Sequence, residues 1–279
     1  MQRTLVLLAI GAVIAASTAS AEPSVEVVTR DDFELIPLNP LRGDASPKAG
    51  VLWGNLREDM ATGALIQFAD GFSSPPHIHN ITYRAVVIEG TVHNDDPDAV
   101  PLWMEPGSFW TQPAGETHIT AVGSGGGMAF LEIESGPYLV RPAAEAFDNG
   151  ERPVNIAARN VVWLTAADTA WIDIAESDPG PEMAFLWGTP REGQRNGTFL
   201  RLPAEHAVRV ESGGSPMKAV LVAGELTHAA GALAAQRSLT PGSYIGSEGA
   251  VSHNVACSSA ATCLLYVSAT GTYRVTDAP

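Results

Sequence analysis

The chain repeats itself, and this repetition limits what it can fold into more than any other feature does. Val51-Leu52-Trp53-Gly54-Asn55-Leu56-Arg57-Glu58 is echoed by Phe185-Leu186-Trp187-Gly188-Thr189-Pro190-Arg191-Glu192. At the same offset, Gly63-Ala64-Leu65-Ile66-Gln67-Phe68 matches Gly197-Thr198-Phe199-Leu200-Arg201-Leu202. After a one-residue shift, Pro106-Gly107-Ser108-Phe109 pairs with Pro241-Gly242-Ser243-Tyr244, and His118 falls opposite His253. Two units follow, residues 22–150 and 151–279. Each consists of short β-type runs closed by Gly or Pro, which predicts an all-β chain of small antiparallel sandwiches or barrels.

Residues 1–21 read as a cleaved signal peptide, with Arg3 before an apolar stretch and Ala19-Ser20-Ala21 as the small-x-small cleavage pattern. The apolar stretch is short for a bilayer span and no basic stop signal follows it. The expectation is therefore a periplasmic or secreted protein with no stable membrane insertion. With a formal charge of −15, the chain repels phosphate backbones, so nucleic acid is not an expected partner. In an exported chain Cys257 and Cys263 read as a disulfide across a hairpin turn. The alternative is a redox pair or thiolate ligands, against which stands the lack of basic neighbours to hold a thiolate.

The chemistry-bearing pattern is Pro75-Pro76-His77-Ile78-His79. Residues two apart on a strand share a face about 7 Å apart along it. Two imidazole nitrogens can then converge on one ion, at roughly 2.0–2.1 Å each for zinc. His118, after the run Gly107 to Thr117, is placed to supply a third. Taken alone, His-x-His is more often a surface pair, and a lone buried His is more often a core residue.

The order and spacing of these residues resemble the cupin superfamily. The first cupin motif is met by Gly71, His77, His79 and Gly90, with Tyr83 where a Glu belongs. The second is met by Gly107, Pro113, Gly115 and His118, with Val122 in place of an Asn. The mature chain is most similar to bicupins with ChrR-type or DUF4437-type domains. That resemblance implies two tandem cupin domains, each a double-stranded β-helix or jelly-roll barrel, with one divalent ion (Fe, Zn or Mn) held by His77, His79 and His118. Tyr83 is then either a fourth ligand, as a metal-stabilised phenolate, or a neutral neighbour of the ion. Three-His cupins include ferrous thiol and β-diketone dioxygenases. The resemblance therefore implies a metal-dependent oxidoreductase acting on a small oxygen-bearing molecule. A zinc or manganese lyase, isomerase or hydrolase, and a non-catalytic binding or sensing module, are the alternatives, and a homodimer is compatible with either.

Trp110 and Gln112, on the strand before His118, are candidates to line the pocket, as is His93 at the head of His93-Asn94-Asp95-Asp96-Pro97. For His93 the competing reading is a solvated turn. Glu132 and Glu134 could replace the carboxylate missing at position 83, but are expected to point outward into solvent. In the second unit the site is lost: Glu211, Gly213 and Met217 stand opposite His77, His79 and Tyr83. His253 is left alone there, and the sequence reveals no partner for His206 or His228.

Overall fold

A computed structural model describes residues 23–175, 177–230 and 235–278. The expected signal peptide lies outside the described residues. No helix among the described residues is long and apolar enough to cross a membrane.

The chain is all-β, with several antiparallel sheets of the kind a cupin jelly roll contains. A seven-stranded sheet runs Val154–Ile156, Phe109–Gln112, Tyr83–Asp95, Ile119–Ile133, Thr62–Phe68, Lys48–Trp53, Ile36–Pro37. A six-stranded sheet runs Ser24–Val28, Tyr244–Gly249, Gly214–Ala223, Cys263–Thr270, Arg195–Leu202, Glu182–Gly188. A second six-stranded sheet is centred on Ala207–Glu211 and Ser252–Cys257, and a two-stranded one joins His77–His79 to Val140–Pro142. Pairing is antiparallel apart from the short parallel contact of Ile172–Asp173 with Arg274–Asp277.

The repeated residues take the same local structure twice. Trp53 stands opposite Gly63, and Trp187 opposite Gly197, each just past a bulge in the strand pair. At both glycines a Cβ would fall 2.3 Å or less from the facing indole, so the Trp ring occupies the space that a side chain would fill. This is the physical content of the recurring Trp-Gly and Gly spacing.

Alternation sorts the side chains. Along Tyr83–Asp95, residues Tyr83, Ala85 and Val87 enter one core with Trp110, Ala129, Leu131 and Ile133. The intervening Val86 and Ile88 enter another with Phe109, Phe130, Phe199, Val220 and Tyr266. This second core is shared by the seven-stranded sheet and the first six-stranded sheet, so the two pack face to face across it. A third core, including Leu200, Val210, Leu221 and Val255, lies on the far side of that six-stranded sheet.

Two edge strands are exchanged between the halves. Ser24–Val28 pairs with Tyr244–Gly249, and Val154–Ile156 pairs with Phe109–Gln112. Each occupies a row of backbone groups that would otherwise be an open edge. Cys257 and Cys263 are joined Sγ to Sγ and link strands belonging to the two six-stranded sheets.

Candidate metal centre

His77 and His118 are brought together by backbone before any side chain is considered. Each N–H donates to the other's carbonyl at 3.0 Å, an isolated antiparallel bridge. His79 shares the face of His77 two residues on, and its own carbonyl accepts from Gly115 N at 2.9 Å. All three imidazoles are buried, and one ring nitrogen from each lies within 4.8 Å of the others.

The orientation of each ring is set by its Nδ1. That of His77 contacts the Pro75 carbonyl at 2.9 Å and Ser74 Oγ at 3.2 Å. Nδ1 of His79 contacts the Leu139 carbonyl at 3.1 Å, and that of His118 contacts the Glu116 carbonyl at 3.2 Å. A carbonyl only accepts, so the proton sits on Nδ1 and the Nε2 lone pair is left for an ion. Burial holds the His77 and His79 imidazoles below their ordinary value and pushes His118 down to about 3, with the neighbouring imidazoles adding to the effect at His79 and His118. The rings are therefore neutral at physiological pH, the form that ligates a metal.

Does the group the resemblance implies fit these residues? His118 Nε2 is buried and has no hydrogen-bond partner. A buried lone pair without a partner is costly, and a cation shared with the other two rings removes that cost. Three imidazoles form a donor set suited to a divalent transition metal. The fit is good.

Tyr83 is buried beside the cluster, its ring 5.2 Å from that of His79. Its hydroxyl donates to Asn94 Oδ1 at 3.0 Å, and burial pushes the phenol's pKa up. In this arrangement the phenol is committed as a donor to Asn94. Asn94 also accepts from Thr120 Oγ1 at 2.8 Å and donates to Gln112 Oε1 at 2.8 Å. Gln112 Nε2 in turn donates to the Glu116 carbonyl, the same carbonyl that orients His118. Tyr83, Asn94 and Gln112 thus form a buried chain of hydrogen bonds ending on a ligand's anchor.

Sequence reasoning missed two residues here. Asn94 was passed over for His93, yet it is Asn94 that points inward. Its neighbour His93 lies on the opposite face, buried against Trp103 at 5.9 Å, and is neither in the site nor in a solvated turn. Strand alternation allows only one of the two to face in. Tyr138 stacks on His79 at 4.4 Å and brings its hydroxyl to 3.2 Å from His79 Nε2. Its only signal in the sequence was a tail shared between the repeats, Gly136-Pro137-Tyr138 with Gly271-Thr272-Tyr273.

The cluster opens on a cavity of about 430 Å³ whose wall includes His77, His79, Tyr83, Trp110 and Tyr138. Gln112 is not part of that wall and acts through its hydrogen bonds instead. Glu132 also departs from expectation. It is buried on the other face of its strand, accepting from Arg195, Tyr266 and Ser268 of the facing sheet. Glu134 remains half exposed, paired with Arg84. Neither carboxylate joins the histidine cluster. In the second half His253 is not alone: His228 Nε2 lies 3.0 Å from its Nδ1, and Ser247 Oγ lies 2.9 Å from its Nε2.

With fold and site described, comparison with known proteins adds the family. The model of a domain of unknown function, DUF4437, matches residues 26–276. The chain belongs to the DUF4437 family. Among solved structures, this DUF4437 chain resembles a proposed dioxygenase from Nostoc punctiforme at TM-score 0.62 and 13% identity, over 93% of this chain and 86% of that one. It also resembles the Lactobacillus farciminis oxalate decarboxylase–formate complex at TM-score 0.54 and 9% identity, over 88% and 87% of the two chains. The 7S globulin of Momordica charantia is similar at TM-score 0.56 and 9% identity, over 90% and 86%. These likenesses establish a cupin-type fold for the DUF4437 chain. No curated protein sequence matches it.

Proposed function

We propose that this DUF4437 protein is an exported, metal-dependent cupin enzyme of dioxygenase type, acting on a small oxygen-bearing molecule. In this reading it is a bicupin: residues 22–150 form the domain that carries the metal, and residues 151–279 form a supporting domain whose site has been lost. The signal-peptide pattern in residues 1–21 supports a periplasmic or secreted location. One observation carries the proposal: three buried imidazoles, each fixed through Nδ1 to a carbonyl, bring a ring nitrogen within 4.8 Å of one another, and two of them, His77 and His79, line a largely apolar cavity.

His77, His79 and His118 would hold the ion. When bound, iron, zinc or manganese supplies Lewis acidity, and iron also supplies access to dioxygen chemistry. The apolar wall, including Ile66, Ala85, Ala129 and Leu131, excludes water and strengthens every polar contact within. Tyr83, anchored by Asn94, stays neutral and keeps its ring against His79. Tyr138 is the hydroxyl nearest a ligand nitrogen, and it can donate to an oxygen that develops charge there.

Fold alone does not select this chemistry, because similar structures include a decarboxylase and a globulin. A non-catalytic binding module draws support from the site itself: Tyr83 is committed to Asn94, which leaves few free acid–base groups. Metal analysis of protein purified from its native compartment without an affinity tag decides the first point. The wild type is expected to carry about one ion per chain, and His77→Ala and His118→Ala to lose it. Equal metal in all three would remove the site. Oxygen uptake with a diketone, thiol or phenolic acid then separates enzyme from binder: a binder shows only a ligand-dependent rise in Tm.

A further inference from the structure

The cavity beside the histidines has a chemical bias of its own. Its wall includes five aromatic residues, Phe68, Phe72, Tyr83, Trp110 and Tyr138, together with small and aliphatic residues. No Asp or Glu lines it among the described residues, although the chain carries 31 acidic residues against 16 Lys and Arg. The cation on its wall is Arg42, in the exposed turn Pro40–Ala45. The Arg42 guanidinium lies over the Phe72 ring at 5.7 Å and has no salt-bridge partner among the described residues. Trp110, 2% exposed, is the most buried of the five aromatic residues.

Each of these features asks for the same thing. An unpaired guanidinium on the wall of a carboxylate-free cavity attracts an anion, and its planar fork matches a carboxylate. Aromatic walls favour a flat apolar body by stacking and edge contacts. The volume, about 430 Å³, lies within the range of small-molecule pockets.

We infer that the cavity takes an aromatic carboxylate, its acid group held by Arg42 at the entrance and its ring lying between the aromatic walls toward the histidines. This rests on the proposed function for the inner end of the site, since the ring end would reach the metal. The contact with Arg42 does not need the ion.

The test is calorimetric titration with phenylpropanoate, its neutral amide and the phenylpropylammonium cation, on metal-free and zinc-loaded full-length protein. The acid is expected to bind most tightly in both forms and the ammonium least. Arg42→Gln is expected to weaken the acid about tenfold while leaving the amide nearly unchanged, and Arg42→Lys to restore part of the loss. Arg42 sits in an exposed turn, so neither change threatens folding.

Equal affinity for acid and amide overturns the inference, as does an equal loss of both in Arg42→Gln. If the acid depends on zinc but not on Arg42, its carboxylate sits on the ion, and the assignment to Arg42 fails. Failure of the metal reading shows elsewhere, as equal metal content in wild type and His77→Ala, and it leaves the Arg42 discrimination in metal-free protein intact.

Discussion

At the scale of single residues, the chain contains two histidine clusters with opposite designs. At His77, His79 and His118 each Nδ1 meets a backbone carbonyl, so the Nε2 lone pairs turn inward, that of His79 beside the Tyr138 hydroxyl. At His228 and His253 the rings contact each other, and Ser247 Oγ takes the remaining nitrogen of His253, so both nitrogens of that ring are engaged within the protein. Burial holds both of these imidazoles below their ordinary value. Above the ordinary imidazole pKa they are neutral in folded and unfolded chains alike and contribute no pH dependence. As pH falls below it, the unfolded chain takes up protons that the buried pair refuses, and folded stability declines until the depressed folded values are passed. Thermal melts of metal-free protein from about pH 7 to about pH 4 should show Tm falling with pH. The slope should be smaller in a His228→Asn/His253→Asn double variant. An unchanged slope in that variant would mean the pair is not held neutral.

At the scale of elements, a change of strand partner matters more than strand length. The long strands Tyr83–Asp95 and Ile119–Ile133 pair along most of their length, through bulges at Val87/Glu89 and Gly90/Val92. The corresponding region of the second half is divided between two sheets: Ser252–Cys257 pairs in one, and Cys263–Thr270 in the other. The Cys257–Cys263 bond spans that division and closes a six-residue separation. For so short a loop, chain entropy gives a stabilisation of about 2 kcal/mol. Denaturant unfolding of a Cys257→Ser/Cys263→Ser double variant should show a loss of that size, without loss of metal from the distant histidine cluster. A metal-depleted double variant would mean that the two halves are coupled through this corner.

At the scale of the whole molecule, the face-to-face packing of two sheets converts outward positions into buried ones. Glu132 lies on the same face as Phe130, opposite Leu131 and Ile133, and on a lone sheet it would meet water. Here it accepts from Arg195, Tyr266 and Ser268 across the shared core, while Arg84 lies 3.7 Å over Trp187. Arg195→Ala leaves a buried carboxylate with two neutral donors and should cost about 3 kcal/mol in urea unfolding. A loss below the scatter of surface substitutions would mean that the carboxylate is solvated after all. What could be read from the sequence was periodic or local: the β class from short Gly- and Pro-bounded runs, the repeated Trp-Gly pairing, and two imidazoles on one face from His77-Ile78-His79. The convergence of His118 with them was legible only through motif spacing. The roles of Asn94, Tyr138, Arg42 and Glu132 were not legible. Each depends on which face of a strand is covered, and by what, and that is set by contacts between segments far apart in the chain. Alternation dictates that neighbours point to opposite sides, but only the packing of distant strands determines which side is the inside.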